Sequence, residues 1–557
     1  SINSARHSGD IVLTITANTT EPTVPSALLK PATSGYSSVK IVPQGVCTIG
    51  ITNLNTNRGI IQLFGARNVE IDGDDPAVSG VDRSLTIGFY GGSASFNNTA
   101  VIRIGSVATP SDSAASITVK NCNIVGPRPS TTSNSVNYGI VIASNNTGNF
   151  LTYGIRNRDI LIENNTFIRC YNGIGCYSSS LTPANAFSNI RIRNNQIGIT
   201  GVSNDFVGSM GIDCEGASIA TAPLIIEGNE IRVGTNTTSG FNDNTLGISL
   251  RNGNPSAIIR YNRLTDIMNN NSLTAGGGLI VGLFVFGAAN TNLDINNNFV
   301  KDVIGARKQT ANFLDANYGM YFNGVGSLRF NHNTIALNQV NYVGTGTNTV
   351  SAGVTFMGAT NLLEFNNNII VNRNASTNAY CVGTMTNMSP FANTVLDKNC
   401  FHFPNGALAN TATNLPNWQA LTGRDQNSFI ENPPFVSAND LHIIAGAVTR
   451  LESNAALSGY AFDVDIQARP NPTDIGADEF AGTAFVAPVI LNVNHTPITQ
   501  SCATATARTV QALFTTVGNA LDSVMVEYTI NGGANQYLRM IYKSYSCCDT
   551  IKRHCSI

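Results

Sequence analysis

The strongest constraint on this chain is a short phrase that it repeats. Ile160-Leu-Ile-Glu-Asn164-Asn165-Thr-Phe167 returns as Ile190-Arg-Ile-Arg-Asn194-Asn195-Gln-Ile197, Leu224-Ile-Ile-Glu-Gly228-Asn229-Glu-Ile231 and Leu293-Asp-Ile-Asn-Asn297-Asn298-Phe-Val300. Two further copies are Leu328-Arg-Phe-Asn-His332-Asn333-Thr-Ile335 and Leu363-Glu-Phe-Asn-Asn367-Asn368-Ile-Ile370, and weaker ones surround Asn262 (257–264) and Asn399 (394–401). Counted on the second asparagine, from Asn165 to Asn399, the steps are 30, 34, 33, 36, 35, 35 and 31 residues. A period of this length means stacked units, each burying its apolar face against the next.

Inside the unit, two alternating apolar positions, a polar pair and another apolar residue read as a strand, a sharp bend and a second strand. Asparagine suits the bend because it tolerates left-handed backbone angles and its amide bonds nearby backbone groups. Stacked from unit to unit, Asn165, Asn195, Asn229, Asn262, Asn298, Asn333, Asn368 and Asn399 are placed to form an amide ladder. A second apolar signal follows most copies, as in Asn172-Gly-Ile-Gly-Cys, Met210-Gly-Ile-Asp-Cys, Leu246-Gly-Ile-Ser-Leu and Tyr318-Gly-Met-Tyr-Phe. Two or three short strands per unit with no helix between them describe an all-β fold, a right-handed parallel β-helix. Over roughly residues 40–480 the chain resembles the parallel β-helix superfamily that includes pectate-lyase-like enzymes and many surface proteins.

Charged residues are only 12% of the 557, and the net charge is −2, which gives no electrostatic reason to expect a nucleic-acid partner. No apolar stretch reaches the roughly 20 residues of a membrane-spanning helix. A start at Ser1 without an initiator Met predicts a processed form or a fragment. Cys122, Cys170, Cys176, Cys214, Cys381 and Cys400 fall in or beside repeat strands, as small buried thiols do, and Cys170 with Cys176 could close a loop in an oxidising compartment.

Residues 9–17 alternate apolar and polar and should form the first strand, capping the open end of the solenoid. The regular body runs over 117–405. The pattern then loosens towards Asp463-Val-Asp-Ile-Gln-Ala-Arg469-Pro-Asn-Pro-Thr-Asp474-Ile-Gly-Ala-Asp-Glu479. This ending resembles the closing segment of secreted β-helix proteins from Bacteroidetes-like bacteria. The resemblance implies a last coil with structural residues, a secreted or cell-surface location and the type IX secretion route. Ile466 stands where that group usually has glycine. The β-helix with its N-terminal cap and closing coil is assigned to 1–480. Residues 481–557 carry strand signals at sandwich spacing, with Asn531-Gly532 as a hairpin turn, and read as a partial immunoglobulin-like β-sandwich. Past Ile541 no pattern continues, as a truncation or frame shift would leave it.

Enzymes on this fold carry their chemistry in columns on an outer face. Aligned on the glycine of the second signal, one outward column reads Val141, Gly175, Asp213, Ser249, Phe284, Tyr321, Thr355, and the next reads Ala143, Tyr177, Glu215, Arg251, Phe286, Asn323, Met357. Tyr177, Asp213, Glu215, Arg251, Phe284, Phe286 and Tyr321 could grip a sugar polymer, with rings stacking and charges bonding hydroxyls. Alternatively, loops cover these aromatics and make a satellite core. Asp266 and Asp302, flanked by Arg263 and Lys301, would stand roughly 5 Å apart as an acid and nucleophile pair, or as a neutralised surface stack. Asp72, Asp74 and Asp75 either hold Ca²⁺ or form an Asp-Gly turn. No other cofactor is implied, and the catalytic motifs of the lyases have no residue-for-residue counterpart here.

Two functions follow. One is an extracellular, non-catalytic solenoid, structural or adhesive, associating with itself through strands such as 279–286 into filaments or with other surface proteins. The other is a polysaccharide lyase or glycoside hydrolase acting through Asp213, Glu215, Asp266 and Asp302.

Overall fold

Each copy of the repeat supplies the bend between two strands, and a third strand completes the coil. In one coil these are Arg158–Glu163, Thr166–Ile168 and Asn172–Tyr177, after which Ser188–Arg193 begins the next. Corresponding strands pair in parallel, giving three long sheets. Sheet 1 has 12 strands from Gly9–Ile15 to Val395–Asp397, sheet 2 has 13 from Thr19–Thr20 to Phe429–Ile430, and sheet 3 has 12 from Ala27–Leu29 to Ala407–Ala409. Crossovers between parallel strands pack back in the right-handed sense, and the fold is a right-handed parallel β-helix. The computed structural model describes residues 2–4, 6–29, 35–90, 98–106, 112–127, 137–146, 152–178, 185–199, 205–216, 218, 220–235, 244–253, 256–269, 279–305, 317–338, 350–384, 394–456, 459–486, 489–495, 510–515, 525–528, 536–539, 541–547 and 550–556.

The period of two in sheet 1 turns Ile160 and Ile162 inward, in register with Ile190 and Ile192 of the next coil. Sheet 2 adds Phe167, Ile197 and Ile231, and sheet 3 adds Ile174, Ile212 and Ile248. These join one continuous core that reaches from Tyr36 to Trp418. Each such side chain contributes about 1.5–3 kcal/mol on burial.

The two residues of the bend do different jobs. The first takes the left-handed conformation: φ is 52° at Asn164, 55° at Asn194, 66° at Gly228, 59° at Tyr261, 52° at Asn297, 53° at His332 and 58° at Asn367. The second is the ladder asparagine, at most 1% exposed in every copy. Asn298 shows the pattern. Its Nδ2 donates to the carbonyls of Ile259 (2.9 Å) and Asn296 (3.0 Å) and to Asn333 Oδ1 (3.0 Å), and its backbone N–H donates to that same oxygen (3.2 Å). The row starts where the Cys122 N–H meets Asn165 Oδ1 at 2.9 Å. It stops where the Asn399 N–H meets Ser428 Oγ at 2.6 Å and its Nδ2 meets Asp425 Oδ1 at 3.2 Å.

Gly9–Ile15 pairs in parallel with Tyr36–Pro43 and is the first and outermost rung of sheet 1, because its alternation matches the rung that follows. At the other end a helix, Leu415–Thr422, closes the core with the fully buried Trp418. Asn414 caps its N-terminus, Pro416 occupies the first turn and Gly423 ends it at φ 65°. Trp418 Nε1 donates to Asp425 Oδ2 at 2.7 Å, so Asp425 links the cap to the last rung of the ladder.

The closing segment is not a last coil. Residues 455–479 belong to the same unit as residues 1–443, and they lie against the bends of earlier coils. Arg469, whose side chain is fully buried, donates to Asn297 Oδ1 (2.7 and 3.2 Å), Thr473 Oγ1 (2.9 Å) and the Gly476 carbonyl (2.8 Å). The Gly476 N–H reaches the Asn367 carbonyl (2.9 Å), the Ala477 N–H reaches Thr334 Oγ1 (2.9 Å), and the Tyr460 hydroxyl donates to Asp294 (3.1 Å). The motif is thus spent on coils 109 to 172 positions earlier, which a coil-by-coil reading could not find. Ile466 sits at φ 64°, the conformation glycine adopts freely.

Residues 444–454 and 480–557 form a second unit. Its antiparallel sheet has the order Val489–His495, Val510–Thr515, Thr550–Ser556, Ile541–Cys547, beside a hairpin of Met525–Tyr528 with Gln536–Arg539. The expected Asn531-Gly532 turn lies outside the described residues. The tail past Ile541, expected to continue no pattern, pairs as a hairpin. Its alternate residues are polar as well as apolar, so hydropathy carried no period.

Seven described cysteines are buried free thiols. Cys170 and Cys176 do not close a loop: the Cys170 thiol donates to the Ile168 carbonyl at 3.3 Å, and Cys176 stands in register with Cys214.

Two predictions follow from the ladder. Replacing Asn298 with Ala leaves two carbonyls and the Asn262 amide without partners inside the core, and should destabilise the chain by about 3–5 kcal/mol in urea denaturation. The second concerns Asp425, whose carboxyl is pushed up to about 6 by burial, against the lowering effect of bonds from Ser428, Trp418 and Asn399. A raised folded-state pKa contributes stability below the unfolded value, and this is lost as pH rises through about 6. Wild type should therefore lose about 2 kcal/mol relative to Asp425→Asn between pH 4 and pH 7; a difference that stays constant over that range would contradict it.

Candidate functional site

The outward columns of sheet 3 have the register that the glycine alignment implies. Gly175, Asp213, Ser249, Phe284, Tyr321 and Thr355 are successive neighbours, as are Tyr177, Glu215, Arg251, Phe286 and Asn323. The alignment works because the glycines stack: a Cβ on Gly211 would meet the Gly247 carbonyl at 2.5 Å, and one on Gly247 would meet the Gly282 carbonyl at 2.5 Å.

A polar chain runs through these columns. The hydroxyls of Tyr138 and Tyr177 lie 2.6 Å apart, and the Tyr177 hydroxyl donates to Asp213 Oδ2 at 2.6 Å. Arg251 grips the same carboxylate with both arms, Nη2 to Oδ2 at 2.7 Å and Nε to Oδ1 at 3.2 Å. Asp213 is 1% exposed, while the Arg251 side chain keeps 27% of its surface. Burial and then the Asp213 charge push the Tyr177 hydroxyl far up, so it remains a proton donor. Burial opposes the Arg251 charge, but Asp213 outweighs it and the guanidinium is held more firmly protonated.

Glu215 faces outward beside this chain. It accepts from the Tyr153 hydroxyl and from Asn252 Nδ2 (2.8 Å), and Arg251 is 4.0 Å away. The bond to Glu215, followed by burial, pushes Tyr153 up to about 12. Phe286, in the next coil, is 46% exposed. Phe284 and Tyr321 are not: they stack at 5.2 Å within a satellite core that includes Leu246, Val281, Tyr318 and Met357. Of the seven grip residues, Glu215, Arg251 and Phe286 reach the surface and the other four are buried. A small cavity of about 20 Å³, room for about one water, is lined by Cys176, Phe187, Ile190, Cys214, Glu215 and Leu224 at the sheet 3 to sheet 1 turn and does not include Asp213 or Arg251.

The second column sits on sheet 2. Asp266 and Asp302 share left-handed φ values of 55° and 53°, and the Lys301 ammonium lies 3.7 and 3.2 Å from their carboxylates. Burial raises the Asp302 pKa despite Lys301. Arg263 turns away to Asp465 in the closing segment, and Lys301 also donates to Asn439 Oδ1 at 3.2 Å. The column is therefore roofed by the closing segment together with residues 439–443 rather than open to a polymer.

That roof carries a cluster that sequence reasoning missed. His442 bonds Asp440 through Nδ1 and Asp465 Oδ2 through Nε2 (2.7 Å), with the Phe299 ring edge-on at 5.1 Å. The bond to Asp465, against burial and with help from Asp440, pushes the imidazole up to about 9. Asp478, 5% exposed, accepts the Ile443 N–H at 2.8 Å, and burial pushes its carboxyl up to about 6. The pattern Asp440-Leu-His442 was visible in the sequence, but its partners lie 23 and 36 residues on. Tyr138 and Tyr153 were missed because neither falls in the two columns read as outward.

Asp72, Asp74 and Asp75 do not converge. Asp72 accepts from Asn121 (2.8 Å) and pairs with Lys120 (3.2 Å), Asp74 accepts the Asp82 N–H (2.7 Å), and Asp75 accepts the Gly45 (2.7 Å) and Ala77 (2.9 Å) N–H groups. These are turn and ion-pair roles. Among the described residues no helix is long and apolar enough to cross a membrane. No family model, curated protein or solved structure matches the chain.

Removing Arg251 tests whether the polar chain is closed. Arg251→Met leaves Asp213 buried without its cation and should cost about 3–5 kcal/mol, whereas the double change with Asp213→Leu should recover most of it. A double-mutant cycle measured by urea denaturation checks this. A near-zero coupling would mean the pair is not a unit.

Proposed function

We propose that the chain is an extracellular, non-catalytic β-solenoid, a structural or adhesive surface protein. One observation carries this reading: each carboxylate expected to react already has a fixed cationic or hydrogen-bonding partner. Asp213 is held by Arg251 and Tyr177, Asp266 and Asp302 by Lys301, and Glu215 by Tyr153 and Asn252. Groups that must gain and lose protons are poorly served by such permanent partners. The resemblance of the closing segment to secreted Bacteroidetes-like β-helix proteins supports the location and the type IX route. Self-association through sheet faces or the Gly9–Ile15 edge fits better than head-to-tail stacking, since the Trp418 helix covers the core at the other end.

The second reading, a polysaccharide ligand or substrate, is favoured by the surface strip of Tyr153, Glu215, Arg251, Asn252 and Phe286. Glu215, Arg251 and Phe286 occupy successive rungs about 4.8 Å apart. A screen against extracellular polysaccharides, with released ends as readout, separates the two. The proposal expects no cleavage by wild type, and sedimentation that reports self-association or retention on a polymer gel that Phe286→Ala weakens. Release of sugar ends by wild type that disappears in Asp213→Asn or Asp302→Asn would replace it with an enzyme.

A further inference from the structure

We propose that His442, Asp465 and Asp478 form a binding site for one divalent transition-metal ion of the zinc type. Their ligand atoms lie within 4.8 Å of one another. An ion among them needs each to close by less than about 1 Å to reach the ~2.0–2.2 Å of zinc–nitrogen and zinc–oxygen bonds.

Three features point to this chemistry. Asp440 holds Nδ1 of His442, which aims Nε2 at the other two groups; a carboxylate behind the imidazole is the usual arrangement of a metal-bound histidine. Asp465 has one oxygen for Arg263 and the other facing Nε2 at 2.7 Å, so the ion takes the place of the proton between them. Asp478 is buried with one oxygen on the Ile443 N–H, and among the described residues no Lys or Arg pairs with it. The positive charge that acts on it is that of His442, and an ion among the three would supply the cation in its place.

One imidazole nitrogen with two carboxylates suits zinc and its first-row neighbours. Calcium would require six to eight oxygens. Asp465 is the exposed member, leaving the solvent side for a water as fourth ligand. The ligands come from three stretches of the chain that cross the sheet 2 column, so the ion would fasten the roof over Lys301 and Asp302.

Isothermal titration of the metal-free full chain with zinc chloride, and separately with calcium chloride, tests this. The expected result is a zinc site that disappears in His442→Gln, weakens at least about ten-fold in Asp478→Asn, weakens about 10–100-fold in Asp440→Asn and is unchanged in His7→Gln. Asp478→Asn preserves the acceptor for Ile443, and circular dichroism confirms that each variant is folded. Absence of zinc binding in wild type, equal binding in His442→Gln, or tighter binding of calcium than of zinc would each overturn the assignment.

Discussion

The asparagine amides in the interior are the interaction on which the rest of this structure depends. A strand that turns sharply into another leaves backbone groups that no sheet ladder can reach, and inside a core each such group costs about 1–3 kcal/mol. The ladder asparagine removes that cost in three directions. It donates to the coil before it, to its own bend and to the coil after it. It also fixes register. A slip of one residue would turn Ile160 and Ile162 outward, and it would at the same time break every amide contact at the bend.

The division of the bend into a left-handed residue and a ladder residue explains which positions vary. Asn, Gly, Tyr, His and Lys all occupy the first place, since only the backbone angle matters there and the side chain finds its own partner. His332 is an instance: it is fully buried, burial holds its imidazole well below the usual pKa, and it lies 3.0 Å from the amide of Asn367. The second place is asparagine from Asn165 to Asn399, because no other side chain of that length both donates and accepts so rigidly. Where the row ends, Asp425 and Ser428 share its role with the cap.

The same logic shows what was legible in the sequence. Short-range periodicity specified the strands, the inward residues and the neighbours of Asp213, because these depend on spacing within one coil and on the next copy. It could not specify coverage. Phe284 and Tyr321 point outward as their phase requires, yet they stack in a satellite core with Leu246 and Val281. It also could not specify where the closing segment lands. Arg469 is 172 positions from its partner Asn297, and Arg263 is 202 from Asp465. The helix at Leu415–Thr422 had its cap signals in Asn414, Pro416 and Gly423, but with one buried residue in eight it had no apolar period to reveal it.

Hydrogen exchange tests the central claim most directly, read at the backbone amides of Asn195, Asn229, Asn262, Asn298 and Asn333. These amides sit at bends, and their acceptors are side-chain oxygens of the next coil. If the ladder holds the coils in register, they exchange as slowly as the amides of Ile192 and Ile259 in the centre of sheet 1. Exchange at the rate of solvent-exposed turns, with the strand amides still protected, would show that the sheets stand without the ladder.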